Sequence, residues 1–539
     1  MCADDDVDMS TTSNPIVAAA SRPLASGGAF AGLAGAVAAA AALGTSELLA
    51  GALPGGSSLI ASVGQVAIDL QPPGAKDFVV GLFGTNDKLA FELFIVAVGV
   101  IVGGGLGLLA VRRFAVAGLG FGAFGAIGFL ASIGDPLANP AITIVSAVAS
   151  VGVGLWILGW LLGPAAADRS TAAGGASRVP QMPNWSRRSF LVRAGGVGVG
   201  ALAAGVVGRG LLERQRVAPV GSGPPVPPAS ETVPALLPES DLAPSIAGLT
   251  PIVMPNDRFY RIDTALLTPI VDVSGWSLRI HGLVDRETTL SWEELIGLPM
   301  FEQYVTISCV SNEVGGQLVG NAKWTGVRLR DVLDMAGVQS SATQLVGRSV
   351  DGWTAGMPVA WVMDPAREPM IALKMNDEPL PPAHGYPARL IVPGLYGYVS
   401  ATKWLKELEL TTLEAFDGYW VPLGWAKEAP ILTQSRIDTP RGGRLAAGRV
   451  PVAGIAWAPD RGIAKVEVGI DGVWEEARLS RPISDATWVQ WVYDWAATPG
   501  PHTIQVRATD GTGETQTEQR SRPAPDGARG WDGVSVEIG

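Results

Sequence analysis

Few of the side chains that hold redox centres are present in this chain. Its 539 residues include two cysteines, Cys2 and Cys309, and no Cys-x-x-Cys pair. That pattern gives no disulfide framework. The three histidines are His281, His384 and His502. None falls within the first 212 residues, which excludes a membrane haem held there by two histidines. Cations are outnumbered too: 39 Lys and Arg against 50 Asp and Glu leave a net charge of −11. This argues against a nucleic-acid partner.

Charge is also missing locally. Residues 25–165 and 189–212 are rich in Ala, Gly, Val and Leu and nearly free of charge, whereas the remainder reads as ordinary globular sequence. The mean hydropathy of +0.28 is high for a soluble protein. The chain is too long for one core, so two to four domains are expected. A helix that crosses a bilayer needs ~20 mostly apolar residues. Five segments qualify: 28–50, 89–111, 114–133, 140–163 and 190–212. The stretch 52–88 is broken by Pro54, Asp69, Pro72, Pro73, Lys76 and Asp77, and reads as an external or re-entrant loop. The scarcity of charge within the spans argues against a transport path.

Arginine placement sets the orientation. Arg22 precedes the first span, Arg112 and Arg113 separate the second and third, and Arg169, Arg178, Arg187 and Arg188 precede the fifth. With all of these inside, the N-terminus is cytoplasmic and everything after residue 212 lies outside a multi-pass cell-membrane protein. Ser186-Arg187-Arg188-Ser189-Phe190-Leu191, before a weakly apolar stretch, reads as an internal twin-arginine export signal. A plain positive-inside flank is the other reading. That export route moves folded proteins, often ones that acquire a cofactor in the cytoplasm.

Residues 213–248 are Pro-rich and read as a semi-rigid linker. Region 249–425 is α+β. Trp276–Gly282 and Arg389–Val392 read as strands, Ser291-Trp-Glu-Glu294 as a capping-box helix start, and Gly326–Gly337 as a helix. Region 426–539 carries short alternating strands around Trp457, Val466–Ile470, Trp488–Trp495 and His502–Ala508, separated by Gly-containing turns. This reads as an immunoglobulin-like β-sandwich, used for packing or dimerisation. The fold class is thus multi-domain: an all-α five-span membrane bundle (1–212), a linker, an α+β domain and a β-sandwich.

Cys309 stands where an apolar strand, Tyr-Val-Thr-Ile-Ser308, runs into the polar turn Val-Ser-Asn-Glu-Val-Gly-Gly. A thiol displayed there suits a soft metal ligand. Taken alone it reads more readily as a buried, inert cysteine. Its surroundings carry a resemblance. Ser308-Cys309-Val-Ser-Asn312, Asn321-Ala-Lys-Trp324-Thr-Gly326, His384-Gly-Tyr-Pro-Ala-Arg389-Leu-Ile-Val-Pro-Gly-Leu-Tyr-Gly397 and Lys403-Trp404 occur in that order. This resembles the sulfite oxidase family of molybdopterin enzymes, in a membrane-anchored, actinobacterial-type form. The resemblance covers about 250–539.

The resemblance implies that region 249–425 binds a molybdenum–molybdopterin cofactor, with Cys309 as the molybdenum ligand and a catalytic residue. It implies that Arg389 and Lys403 clamp anionic groups of the pterin and that His384 hydrogen-bonds it. Asn256, Tyr260 and Arg261 match a further cofactor-contacting segment, which here has one extra residue. Ser349 matches a small hydroxyl residue, and Ser400 and Thr402 fall in a loop beside the pterin that is one residue longer here. Tyr419 is the nearest candidate for the family's active-site tyrosine. The arginine that helps sulfite oxidases hold their anion after the cysteine is missing; Val310, Ser311, Asn312 and Glu313 follow instead, and a glutamate there would repel sulfite. The cytochrome b5-type domain of some members is missing as well, so no haem is expected.

The expected activity is two-electron oxidoreduction of an extracytoplasmic small molecule, with a separate electron-transfer partner, a membrane attachment and a possible homodimer. Two other classes stay open. One is a metal-free, membrane-tethered binding protein that keeps the fold. The other is a transporter-like module with a fused sensor domain.

Overall fold

The computed structural model describes residues 24–72, 87–133, 138–163, 187–217 and 223–539. Cys2, Arg22, Lys76, Asp77, Arg169, Arg178 and Ser186, all used above, lie outside the described residues. Five long helices follow from long apolar runs with few charges and no internal proline: α1 (Leu24–Ala52), α3 (Asp87–Ala110), α4 (Phe114–Ile133), α5 (Pro140–Leu162) and α6 (Arg187–Val217). Each contains a stretch long and apolar enough to cross a membrane. Arg187-Arg188-Ser189-Phe190-Leu191 forms the opening turns of α6.

Part of 52–88 differs from the expected loop. A helix, α2 (Leu59–Asp69), stands there, because Ser58 caps it by accepting from Ala61 N–H (3.1 Å). The Ser58 hydroxyl also donates to Glu47 (2.5 Å). Val66 and Leu70 on and just after α2 stay exposed.

Contacts group the chain into two compact units. The first holds the described residues up to Ser46, Phe94–Ala126 and the described part of Ala147–Gly205. Here α1 and α3 approach through small residues. A Cβ on Gly35 would sit 2.1 Å from Gly103 O and 2.7 Å from Gly107 Cα, so only glycine fits.

The second unit holds Glu47–Leu93, Ile127–Ser146 and Val206–Gly539. Its few helix-borne charges satisfy one another: Arg209 pairs with Glu92 and Glu213. Residues 223–248 are packed rather than a free spacer. Val226, Ala229 and Leu236 rest against the main core, and Leu242, Ile246 and Leu249 cluster with Ala453 and Val492. An apolar residue every few positions is what docks this Pro-rich stretch.

Two sheets build the α+β part. One has the order β2-β1-β10-β5-β6 and contains β1 (Ser277–Gly282), β2 (Thr288–Ser291), β5 (Gln344–Ser349), β6 (Thr354–Pro358) and β10 (Leu405–Thr411). The β1–β10 pair is parallel and the rest are antiparallel. The other runs β3 (Met300–Ser308), β4 (Val319–Arg328), β7 (Met370–Met375) and β8 (Glu378–Pro379), with β9 (Arg389–Ile391) also on β7. The capping box at Ser291 is formed and starts α7 (Trp292–Ile296).

The helix expected from Gly326 instead begins three residues later as α8 (Leu329–Ala336). Gly326 to Arg328 complete β4, where β7 comes so near that a Cβ on Gly326 would meet Ile371 O at 2.0 Å. The loop expected at Gly397–Thr402 contains a helical turn, Gly397–Ser400.

The C-terminal region is a two-sheet sandwich. One sheet orders β11 (Gln434–Thr439), β13 (Gly448–Trp457), β17 (Val489–Ala497) and β16 (Arg478–Leu479). The other orders β12 (Gly443–Leu445), β19 (Asp532–Ile538), β18 (Gly500–Asp510), β14 (Ile463–Ile470) and β15 (Val473–Glu476). Both contribute to one core that includes Val452, Trp491, Val466 and Val506. The sandwich also braces β3: Thr306 N–H donates to Ala486 O (2.9 Å), and Trp488 N–H donates to the Thr306 hydroxyl (2.8 Å).

Candidate active site

Ser308 pairs with Val319 across β3 and β4, so the connection between these strands opens at Cys309. The turn is held from within. Cys309 N–H donates to Leu318 O (2.9 Å), Asn312 N–H donates to Cys309 O (3.0 Å), and the buried Asn312 amide oxygen accepts from Leu318 N–H (2.8 Å). Cys309 is a free thiol, 7% exposed, with Sγ 2.9 Å from the Ser311 hydroxyl.

A cavity opens in front of this thiol. Its walls include Cys309, Tyr260, Ser349, Arg389 and Lys403. Five of the residues that the sequence nominates therefore come together from four separate stretches of chain. The register explains two of them: Ser349 pairs with Leu405, which brings β5 beside Lys403, and Arg389 opens β9 on the β7 edge. The enclosed volume, about 80 Å³, holds only a few waters. The polar groups, not the volume, therefore decide what the cavity suits.

Arg389 is 3% exposed. Its guanidinium donates to His384 O (3.0 Å) and Ala401 O (3.4 Å) and lies over the Trp324 ring (5.1 Å). Among the described residues its Nε has no partner. No carboxylate offsets the cost of burying this charge, and burial pushes its pKa down to about 10. Lys403 donates to Asp263 (2.9 Å) and Ala383 O (3.0 Å). Burial pushes it down to about 8 against the pull of Asp263. Burial opposes the charge on Asp263, yet Lys403, Lys88 and Arg261 hold its carboxyl well below the usual carboxylate range. Lys88, at the start of α3, makes a close ion pair with Asp263 and donates to Ala265 O (2.7 Å). On the cavity wall Arg389 and Lys403 face Asp263 and Asp351, and Lys88 and Arg261 pair with Asp263. Burial raises the pKa of Asp351 against the hydrogen bonds that favour its charge.

His384 is buried, with Nε2 3.0 Å from Asn256 O. A carbonyl accepts only, so Nε2 carries the hydrogen and Nδ1 presents a bare lone pair. Nδ1 has no partner among the described residues. Burial, with Lys403 and Arg389 adding to it, pushes His384 down to about 4, so the imidazole is neutral. Among the described residues the Ser349 hydroxyl makes no hydrogen bond of good geometry, and it lies close enough to the Asp351 carboxyl to favour that group's charge. Tyr260 stacks on Phe259, whose edge meets the His384 ring at 5.6 Å. Burial and the neighbouring Cys309 push the Tyr260 hydroxyl well above the ordinary phenol range.

Neither His384, which stands behind Arg389, Lys403 and Phe259, nor the remaining nominated residues line this cavity. The Asn256 amide is spent on Met375 O and Glu378 and accepts from Asn376. Arg261 is 38% exposed at its side chain and bonds Asp263 and Thr268. The Ser400 hydroxyl donates to Leu395 O and Tyr396 O. Thr402 is buried, its hydroxyl 3.5 Å from Gly347 O. Tyr419 donates to Asp69 (2.9 Å) and lines a neighbouring cavity. Glu313 is exposed and lines a surface depression with Arg520 and Arg522, so it does not face the thiol and its repulsion of an anion there falls away.

Sequence reasoning missed Asp263, Asp351 and the aromatic walls Trp353, Tyr398, Trp420 and Trp425. Asp263 had one visible sign, its place two residues after Arg261.

An anionic, donor-rich ligand that also offers a metal to a thiolate fits this set: one soft ligand, an uncompensated buried guanidinium and a bare imidazole acceptor. Residues 265–420 match the family described as the oxidoreductase molybdopterin binding domain. The chain is 35% identical over 154 residues to the uncharacterized oxidoreductase YuiH of Bacillus subtilis, covering 29% of this chain and 74% of that one. It is 30% identical over 288 residues to the mitochondrial sulfite oxidase of Homo sapiens, covering 44% of this chain and 52% of that protein. It therefore spans about half the length of the sulfite oxidases it matches. Among solved structures, the sulfane dehydrogenase SoxCD from Paracoccus pantotrophus aligns with a TM-score of 0.47 at 22% identity, over 53% of this chain and 82% of that one.

Proposed function

We propose that this chain, which belongs to the family of oxidoreductases with a molybdopterin binding domain, is a membrane-anchored molybdenum enzyme of the sulfite oxidase-like kind. It would carry out two-electron oxidoreduction on an extracytoplasmic small molecule. The observation that carries this reading is Arg389: a buried guanidinium with no counter-charge, beside a lone thiol.

Bound there, a molybdenum–molybdopterin group would supply two-electron redox chemistry of the oxo-transfer type. The protein's part is to bind and to orient. Cys309 provides the thiolate ligand. Arg389 and Lys403 would hold the anionic end of the pterin, His384 would hydrogen-bond it, and Ser349 and Tyr260 would offer hydroxyl donors. Arg261 acts through Asp263, which in turn orients Lys403. Asn256 positions His384 through its carbonyl, and Ser400 and Thr402 hold the backbone of the adjoining turn.

The five apolar helices anchor the chain, with the N-terminus cytoplasmic and the region after residue 212 outside. Export of that region by the twin-arginine route follows from Arg187 and Arg188. The domain limits of 1–212, 213–248, 249–425 and 426–539 belong to the same reading. The sandwich is taken as immunoglobulin-like and as the surface for a possible homodimer. The arginine lost after Cys309 leaves sulfite without its expected partner, which points away from sulfite as the substrate.

Metal analysis of protein purified from a molybdenum-replete host tests the reading. One molybdenum and one pterin per chain are expected, both lost in Cys309→Ser while the fold persists. Folded wild-type protein with no molybdenum would return the chain to a tethered binding role. Arg187→Lys with Arg188→Lys should strand the C-terminal part in the cytoplasm; unchanged export would reject the signal.

A further inference from the structure

A second cavity, of about 810 Å³, adjoins the one at Cys309. Thr264, Asp351 and Trp353 line both. Its far wall is different in kind: Val66 and Asp69 of α2, Ala131 near the end of α4 and Leu212 near the end of α6. One side is thus the cofactor-binding region, and the other is the ends of helices long and apolar enough to cross a membrane. The lining mixes Leu266, Leu267, Pro269 and Ile270 with a few bonded polar groups: the Tyr419 hydroxyl (2.9 Å) and the Gln65 amide (3.1 Å) both donate to Asp69, and the Ser57 and Ser62 hydroxyls bond each other (3.2 Å). A mostly apolar cavity of this size with a few convergent polar groups is suited to a small amphipathic molecule.

We propose that this cavity binds a lipid-soluble quinone, and that the quinone/quinol couple is the electron partner of the Cys309 site. The electron role rests on the function proposed above; the binding does not. The chemistry of the lining fits such a head group. A quinone oxygen needs a hydroxyl donor and, on redox change, a route for its proton. Burial pushes the Tyr419 hydroxyl above the ordinary phenol range, so it stays protonated, and Asp69 accepts from it. Asp351, on the shared wall, has its pKa raised by burial, which suits it to take up a proton.

In quinol oxidation two O–H bonds break and the two ring C–O bonds become C=O. One proton passes to Asp351 and the other through the Tyr419 hydroxyl to Asp69. Two electrons pass across the shared wall to the acceptor in the Cys309 cavity. Quinone reduction is the same step reversed. This gives Tyr419 a role outside the cavity of the thiol.

The test is photolabelling of full-length Cys309→Ser protein in lipid nanodiscs, using an azido-benzoquinone with a decyl tail. Wild-type protein is labelled in parallel. Saturable adducts on α2 and on 264–270 are expected, competed by decylbenzoquinone and not by added phospholipid. Val66→Trp, at a half-exposed position that tolerates bulk, should cut labelling at least tenfold. Gln65→Trp provides the same block should Val66→Trp misfold. Tyr419→Phe should weaken quinone binding about fivefold, the loss of one hydrogen bond. Non-saturable labelling spread over the apolar helices, competition by lipid alone, or no change in these variants would overturn the site. In molybdenum-loaded wild type, one quinol oxidised or one quinone reduced per metal is expected in a single turnover, and neither occurring would overturn the electron role. Labelling in Cys309→Ser does not depend on the metal, so a failed metal analysis and a failed quinone site remain distinct results.

Discussion

Two buried arginines in this protein, Arg389 beside Cys309 and Arg436 in the sandwich, are 3% and 5% exposed. Arg436 is fully answered by protein: Asp438 accepts from Nε (2.8 Å), Gly316 O from Nη1 (2.8 Å) and the Thr250 hydroxyl from Nη2 (2.9 Å). Arg389 has two carbonyls, an aromatic face and an unpaired Nε. Burial alone therefore does not mark a site. A buried charge without its counter-charge does, because the fold gains nothing from it that offsets the desolvation.

The contrast can be broken by experiment. Arg436→Met leaves Asp438 buried without its cation, and should cost the sandwich about 3–5 kcal/mol. Domain-resolved hydrogen exchange would show the loss; an unchanged sandwich would mean that Arg436 too is dispensable to the fold.

Acid should act on the other region. His384 takes its proton near 6.5 when unfolded but only near about 4 when folded. Between those values the unfolded chain binds more protons, so stability falls as pH is lowered through the window, by roughly 3 kcal/mol in full. His384→Gln should flatten that part of the cofactor-free stability curve. His502 on the sandwich runs the opposite way. Its pKa is raised, chiefly by Asp471, so its contribution is present at low pH and lost as pH rises through the folded value. Matching slopes in the two regions would contradict both assignments.

Lys403 sharpens the comparison from the ligand side. In the cofactor-free chain its pKa lies at about 8. An anion binds the protonated form, so affinity for inorganic phosphate should hold below about pH 8 and then fall by up to about tenfold per pH unit. Calorimetry across that range would show it, and a flat profile would remove Lys403 from the anion site.

The smallest expected effect is on stability, from Arg389→Met. Cofactor-free protein should change by no more than about 1 kcal/mol, or gain, since an unpaired buried charge is replaced by an apolar chain. Molybdenum retention should nevertheless fall at least tenfold. A loss as large as that of Arg436→Met would make Arg389 structural.

Much of the fold could be read from residue patterns. The five apolar runs, the capping box at Ser291 and the alternating strands around Trp457 and Trp491 each carry a local period or cap that dictates an element. The misread places share a cause. At Gly326 a helical spacing yields to β7, whose backbone comes too near for any Cβ. At 52–88 prolines and charges outweighed the cap at Ser58. At Tyr419 the chain distance to known motifs gave no direction for the side chain.

The sequence by itself determined the membrane-length helices, the order of the α+β and sandwich regions, and the thiol of Cys309 at a strand end. These follow from local hydropathy, periodicity and the residues adjoining that strand. Only the tertiary structure decided which of the nominated residues meet. Cys309, Tyr260, Ser349, Arg389 and Lys403 share a cavity because strand pairing brings distant stretches together, while Tyr419 is bonded to Asp69 in the next cavity. Whether a buried charge is paired depends on groups far away in the chain, and no local pattern carries that information.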